Sequence, residues 1–206
     1  RYPGHPSGRG TAADQQTSVS PARGQPPRCR EATAVLCGIV STSPPIAVRL
    51  ATLDDAEAIM ALYHVEVEQH LSTFDLVTRT IDEQRAWLAQ RSGAFSAVVA
   101  IVDDEVVGFA SLSPYKERAA YRTTVEDSVY VSRRHPRLGI GRTLMEHVIG
   151  IARDSGFHSM IARIEASGTA SRALHEACGF HLVGIEREVG RKFNRWLDVA
   201  VMQLLL

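Results

Sequence analysis

The stretch HPRLGIGRTLMEHV, His135 to Val148, sets two glycines in a G-x-G spacing between an apolar strand-like run and an amphipathic one. A strand feeding a helix through Arg137, Leu138, Gly139, Ile140, Gly141 and Arg142 leaves backbone N–H groups unpaired at the positive end of the helix dipole. Such a turn could cradle a pyrophosphate, or it could be a plain helix start; the loop alone does not separate the two. Leu144 stands where a dinucleotide fingerprint has its third glycine, and the Gly-Lys-Ser/Thr ending of a triphosphate loop is missing. Just upstream, TVEDSVYV reads as a strand with Val125, Val129 and Val131 on one face and Glu126, Ser128 and Tyr130 on the other. Glu126 is either a solvated strand carboxylate or a general base. An ordinary glutamate takes a proton from an alkylammonium poorly unless burial raises its pKa or a water relays the proton.

The elements that must position these residues can be read on either side of them. IAVRL (46–50) is a short strand, and Thr52 opens a helix with Asp55 three residues on, followed by Ala56, Ile59, Met60, Tyr63 and Val67 at helical spacing. Thr80-x-x-Glu83 is a full capping box for a second helix through Trp87 and Leu88. AVVAIV and VVGFASL, joined by Asp103, Asp104 and Glu105, read as a hairpin. After the glycines, Leu144, Met145, Val148, Ile149 and Ala152 form a helical stripe ending near Gly156. SMIARIEA is a strand, Ala170 to Cys178 a short helix stopped by Gly179, and FHLVGIERE and WLDVAVMQLLL are the last strands. The order β-α-α-β-β-β-α-β-α-β-β predicts an α/β fold with a mixed sheet.

Composition narrows the function classes. The chain has 206 residues, 45% of them hydrophobic, and balances 23 Lys+Arg against 23 Asp+Glu. That length suits one domain plus an appendage, and zero formal charge gives no pull toward nucleic acid or anionic membrane. Three cysteines without CxxC or Cys/His ligand spacing argue against a disulfide framework and a structural zinc, and point to a reducing, cytoplasmic setting. No run reaches the roughly 20 apolar residues of a membrane span. Residues 1–45 hold seven of the nine prolines and five arginines, and are expected to form a disordered tail that is not part of the native protein. The first methionine is Met60, which puts the expected natural start near Val40 or Val48. The apolar run Ala32 to Val40 follows Arg28 and Arg30, but the long Pro/Gly-rich arm before it and the lack of an A-x-A site speak against an export signal.

VYVSRRHPRLGIGRTLMEHVIGIARDSGF resembles the acyl-CoA-binding motif of the Gcn5-related N-acetyltransferase superfamily, a Q/R-x-x-G-x-G/A loop between a strand and a long helix. SRALHEACGF resembles the block that follows it there. PYKERAAYRTTVEDSVYVS, LHEACGF and REVGRKFNRWLDVAVMQ resemble the phosphinothricin acetyltransferase and amino-acid N-acyltransferase branch, and the likeness runs from about Ile46 to Leu204. It implies the acyl-CoA N-acyltransferase fold, a mixed central sheet flanked by helices, over residues 46–206. It also implies acetyl-CoA as co-substrate without a metal, a small-molecule amine acceptor, and a homodimer. Glu126 matches the branch's general base, and His175 stands where many members carry a tyrosine near the CoA sulfur, which makes it the expected general acid. CoA contacts are expected from Arg137 to Arg142, from Ser171, and from backbone N–H groups along Val129 to Val131. Acceptor contacts are expected from Thr73, Phe74, Lys116, Arg118, Tyr121, Lys192 and Trp196, with Asp198 in the same C-terminal motif. Two positions depart from the pattern. Pro136 stands at the Q/R position and has no N–H, and Gly168 stands where an Asn is usual, so weaker cofactor affinity is expected.

The leading expectation is acetyl transfer to the α-amino group of a small amino acid or analogue, by direct attack in a ternary complex. Acetylation of a protein N-terminus or lysine is the alternative within enzymes. A non-catalytic acyl-CoA sensor is the alternative from another class.

Overall fold

The computed structural model describes residues 45–206; the expected tail, apart from Pro45, lies outside the described residues. The elements follow the expected order: β1 (Ala47–Leu50), α1 (Ala56–Gln69), α2 (Ile81–Ala89), β2 (Ala97–Val102), β3 (Glu105–Pro114), β4 (Thr124–Val131), α3 (Ile140–Asp154), β5 (Ser159–Glu165), α4 (Thr169–Ala177), β6 (His181–Lys192) and β7 (Arg195–Leu205). Both capping boxes form. The Thr52 N–H donates to Asp55 Oδ2 at 2.7 Å, and the Thr80 N–H to Glu83 Oε2 at 2.8 Å. At the first, a 3-10 turn over Leu53–Asp55 precedes α1, and Arg49 grips Asp55 with both Nη atoms at 2.7 and 2.8 Å.

The seven strands form one sheet in the order β1-β2-β3-β4-β5-β7-β6. Every neighbouring pair is antiparallel except β4 and β5. A parallel pair needs a long crossover, and α3 supplies it. The stripe Leu144, Met145, Val148, Ile149 and Ala152 buries α3 against one face of the sheet, with Val98, Val125, Met160 and Met202 in the same core. Each such side chain contributes about 1.5–3 kcal/mol when fully buried. On the other face Ile59, Tyr63 and Val67 of α1 and Leu88 of α2 pack on Val99 and Phe109.

The parallel pairing is short. Only Thr124, Val125 and Glu126 face Ser159, Met160 and Ile161, after which β4 continues beside β3 to Val131 and β5 beside β7 to Glu165. Each strand keeps its outer ladder and gives up the inner one, so the sheet splits and Glu126 stands at the vertex of the split. Half of the N–H and C=O groups on the β4 stretch beyond it lose their strand partner.

The last two strands run further toward one another than FHLVGIERE and WLDVAVMQLLL suggest. They meet in a two-residue turn at Phe193 and Asn194, with φ of 47° and 59°. Two left-handed residues in succession make the turn whose twist matches a hairpin. β6, at the sheet edge, bulges over Arg187–Val189 opposite Asp198, and Glu188 takes φ 51° there. Asp198 holds the bulge, accepting from the Glu188 N–H at 2.9 Å and Arg187 Nη1 at 3.0 Å.

Candidate active site

A cleft of about 1040 Å³ occupies the split and is lined from both faces of the sheet. Glu126, Ser128 and Tyr130 line it from one face of β4, Asp127, Val129 and Val131 from the other, with Arg163 and Glu165 on β5 and Ser171, Leu174 and His175 on α4. The segment Glu66 to Phe74 closes the α1 side. The Glu126 carboxyl sits above its usual value: burial raises it, and Asp127 and Glu186 add to the rise while Arg163 opposes it. That direction is what a base for an ammonium needs.

His175 is differently placed from what a general acid requires. It is 2% exposed, its Nδ1 lies 2.7 Å from the Ser171 carbonyl, and its Nε2 lies 3.0 Å from Asp127 Oδ2. A carbonyl only accepts, so Nδ1 carries a proton. A carboxylate also only accepts, so a second proton lies between Nε2 and Oδ2, and the pair is an imidazolium–carboxylate ion pair. Burial alone would lower the His175 pKa, but the Asp127 carboxylate and the Ser171 carbonyl outweigh it and the net direction is up. Both nitrogens are committed inside the protein, which corrects the general-acid expectation: His175 ties α4 to β4. Asp127 is the member of this pair that the sequence reading passed over. Its signal is the alternation itself, which sets one carboxylate among Val125, Val129 and Val131 on a buried face.

The glycine loop forms as expected. Gly139, at φ +83°, is the N-cap of α3, and the first bond of the helix runs from the Thr143 N–H to the Gly139 carbonyl at 3.0 Å. The amides of Ile140, Gly141 and Arg142 precede that bond and are the free donors of the helix start. A Cβ on Gly141 would meet Leu174 at 3.1 Å and Val131 at 3.6 Å, so the second glycine lets the first turn of α3 close on α4 and β4. Ile140 is buried, so only its backbone is available to a ligand, and Leu138 is half-buried against the core. Arg137 is exposed at φ 62°, and Arg142 is exposed with its Nε on Glu146 at 2.8 Å. Free amides at a helix start beside the split suit a pyrophosphate. Gly168 caps α4, where a Cβ would come within 3.0 Å of the Glu165 carbonyl, so this backbone leaves little room for the usual Asn.

The expected acceptor residues divide. Thr73 and Phe74 line the cleft. Thr73 is buried, its Oγ1 hydrogen-bonded to the Tyr63 hydroxyl at 2.8 Å, while Phe74 lies over Gly190, where a Cβ would overlap its ring. Lys192 is 3% exposed and donates to the carbonyls of Glu66 at 3.2 Å and Thr73 at 2.9 Å, so it braces the loop and does not reach an acceptor. Trp196 is 61% exposed beside Arg191 and is absent from the cleft lining. Lys116, Arg118 and Tyr121 line a separate hollow of about 540 Å³ in the loop before β4. The cleft has other charged residues that spacing did not flag. Arg133 grips Glu66 through Nε and Nη2, both at 2.9 Å, with Ser72 also on that carboxylate, and Arg163 Nη2 reaches Glu186 at 2.5 Å. These partners are 67 and 23 residues apart in the chain, which is why no local pattern announces them. Among the described residues no group of three His, Cys, Asp or Glu is arranged to hold a metal, and no helix is long and apolar enough to cross a membrane.

The model of the acetyltransferase (GNAT) family matches residues 59–180, more than half of the chain. The chain belongs to the GNAT family. This GNAT chain is 39% identical over 158 residues to a phosphinothricin N-acetyltransferase of Alcaligenes faecalis, covering 76% of the chain and 80% of the relative. It is 36% identical over 162 residues to the L-amino acid N-acyltransferase MnaT of Escherichia coli strain K12, covering 78% and 94%. The solved structure of a GNAT superfamily phosphinothricin acetyltransferase from Sinorhizobium meliloti in complex with AcCoA superposes with a TM-score of 0.75 at 34% identity, covering 78% of this chain and 88% of that one. The GNAT chain is therefore an acyltransferase with the α/β acyl-CoA N-acyltransferase fold, and the sensor alternative falls away.

Proposed function

We propose that this enzyme moves the acetyl group of acetyl-CoA to the α-amino group of a small amino acid or analogue, of the phosphinothricin or methionine-sulfone kind, by direct attack within a ternary complex. The observation that carries the reading is Glu126 at the vertex of the split, with its carboxyl raised by burial. The names of the relatives, which act on phosphinothricin and L-amino acids, support a small acceptor over a protein N-terminus or lysine. Glu126 takes a proton from the acceptor ammonium, directly or through one water. The freed nitrogen bonds to the thioester carbonyl carbon, the carbon–sulfur bond breaks, and the sulfur leaves with the electron pair and takes up the second proton, which the nitrogen sheds as it becomes an amide. Backbone N–H groups of β4 along Val129 to Val131, beyond its pairing with β5, are suited to the carbonyl oxygen as it gains charge.

Ile140, Gly141 and Arg142 offer amides for the pyrophosphate, with Arg137 and Arg142 beside them, and Ser171 borders the pantetheine arm. Pro136 withholds one amide from that cradle, in line with weaker cofactor affinity. Cys178 is half-buried with its thiol pKa raised by burial, which does not suit a covalent carrier. The balanced charge and sparse cysteines support a cytoplasmic enzyme that works without nucleic acid, membrane or structural zinc, and the likeness to the phosphinothricin branch implies a homodimer.

The test is thiol release from acetyl-CoA with a panel of amino acids that includes methionine sulfone and glutamate analogues. Turnover with at least one acceptor is expected, and Glu126→Gln should lower it by about 100-fold or more. Unchanged turnover in Glu126→Gln removes the base assignment. In the wild type the acid limb of kcat/KM should lie above the ordinary carboxylate range: the rate rises as Glu126 loses its proton, and burial moves that loss to higher pH.

A further inference from the structure

Three arginines line the cleft: Arg133, Arg163 and Arg195. Arg133 is committed to Glu66 through two nitrogens, and Arg195 opens β7 beside the hairpin turn. Arg163 is placed differently. Strand pairing sets Glu126 opposite Ile161, and Arg163 lies two residues further along β5, on the same face as Ile161 and hence as Glu126. Two residues of strand amount to about 6.6 Å, and with neighbouring strands about 4.8 Å apart the two positions lie about 8 Å from one another. An acceptor that touches a carboxylate at one end and a guanidinium at the other, through hydrogen bonds of about 2.9 Å, fills a gap of that order. The guanidinium is aimed by Glu186, which takes Nη2 at 2.5 Å. Among the described residues no partner takes its Nε or Nη1, and the side chain is 43% exposed where the cleft opens. The cationic loop expected to serve an acceptor carboxylate, Lys116 and Arg118, lines a different hollow.

We infer that Arg163, oriented by Glu186, is the anion-binding residue of the acceptor site and holds an oxyanion of the substrate while Glu126 faces its amine. This deepens the proposed amino-acid acceptor and rests on it. The oxyanion is either the α-carboxylate or an acidic group on the acceptor side chain; the chemistry at Arg163 is the same. Arg163 also opposes the burial that raises the Glu126 carboxyl, so an acceptor anion that neutralises Arg163 relaxes that opposition and makes Glu126 a stronger base once the acceptor is bound. Lysine at this position would keep the charge and lose the fork that Glu186 and the acceptor share.

The experiment is calorimetric titration of acceptors into the CoA-loaded full chain, for the wild type, Arg163→Gln and Arg163→Lys, paired with steady-state KM values in the thiol-release assay. The acceptors are methionine sulfone, its α-amide, glutamate and glutamine. Arg163→Gln should weaken binding of the affected acids about 10-fold or more, with Arg163→Lys between it and wild type and with the KM for acetyl-CoA unchanged. A loss for methionine sulfone but not for its amide identifies the α-carboxylate as the bound group. A loss for glutamate but not for glutamine identifies the side-chain acid. Equal affinities for every acceptor in wild type and Arg163→Gln overturn the assignment and leave the enzyme reading standing. Absence of amino-acid heat and of turnover in the wild type overturns both.

Discussion

Glu126 and Asp127 are neighbours on β4 and live in opposite surroundings. Glu126 faces the cleft with no cation hydrogen-bonded to it among the described residues, and burial raises its pKa. Asp127 points to the α4 side, where its Oδ2 meets an imidazolium that is itself sealed from solvent. Removing one partner of a buried ion pair leaves a charge without compensation and costs about 3–5 kcal/mol. Asp127→Asn is therefore expected to lower Tm by several degrees, measured by calorimetry at pH 6. The pH dependence has a definite sign. The His175 pKa is raised on folding, so the stability drawn from the pair is complete below the value of an unfolded histidine and is lost as pH rises through the folded value. The Tm gap between wild type and Asp127→Asn should narrow over that upper window; a gap that widens with rising pH would contradict the ion pair. At this scale the sequence showed that Glu126 and Val125 face opposite ways. It could not say which face was wet, because that depends on α4 arriving from 48 residues later in the chain to cover Asp127.

At the scale of elements, the α1 side of the cleft is a loop held by a hairpin. Lys192, at the end of β6, hydrogen-bonds the carbonyls of Glu66 and Thr73, and Gly190 leaves the space that the Phe74 ring fills. Desolvation lowers the Lys192 pKa, so its grip depends on two carbonyl dipoles, with the charges of Asp75 and Glu66 nearby. Gly190→Ala puts a methyl where the ring lies, and overpacking of this kind costs about 1–3 kcal/mol. The expected outcome is a several-fold change in acceptor KM with the acetyl-CoA KM unchanged, since the glycine loop of α3 belongs to another part of the molecule. Equal shifts in both constants would mean that the loop and the cofactor side move together. The helices were legible because capping boxes and the α3 stripe are local signals. The hairpin turn at Phe193 and Asn194 was not, since its two left-handed residues lack the Asn-Gly pattern that marks such turns.

For the molecule as a whole, one group of exposed apolar side chains lies at the β6 end of the sheet. Leu182, Val183, Val189, Phe193 and Trp196 are all exposed there, and among the described residues β6 is an edge strand with no neighbour on its outer side. Such an edge is a template for pairing unless it is blunted, and bulges blunt this one only at Val183 and at Arg187–Val189. A homodimer that covers this end is the expected state. Sedimentation velocity on the wild type should give twice the chain mass of 22.5 kDa, and Val183→Lys should move it toward the monomer. A wild-type monomer at micromolar concentration would remove the expectation.

The sequence by itself determined the order of strands and helices, the turn that frees amides at the start of α3, and the strand face that carries Glu126. Each rests on a period of two or 3.6 residues, or on a cap within four residues, and such signals survive without knowledge of the rest of the chain. Only the tertiary structure decided where β4 and β5 part, that His175 is locked to Asp127, that Lys192 braces a loop, and that Arg163 stands beside Glu126. Those facts are pairings between residues far apart in the chain, and the physical quantities behind them, burial and the distance between charges, exist only once the sheet has brought the partners together.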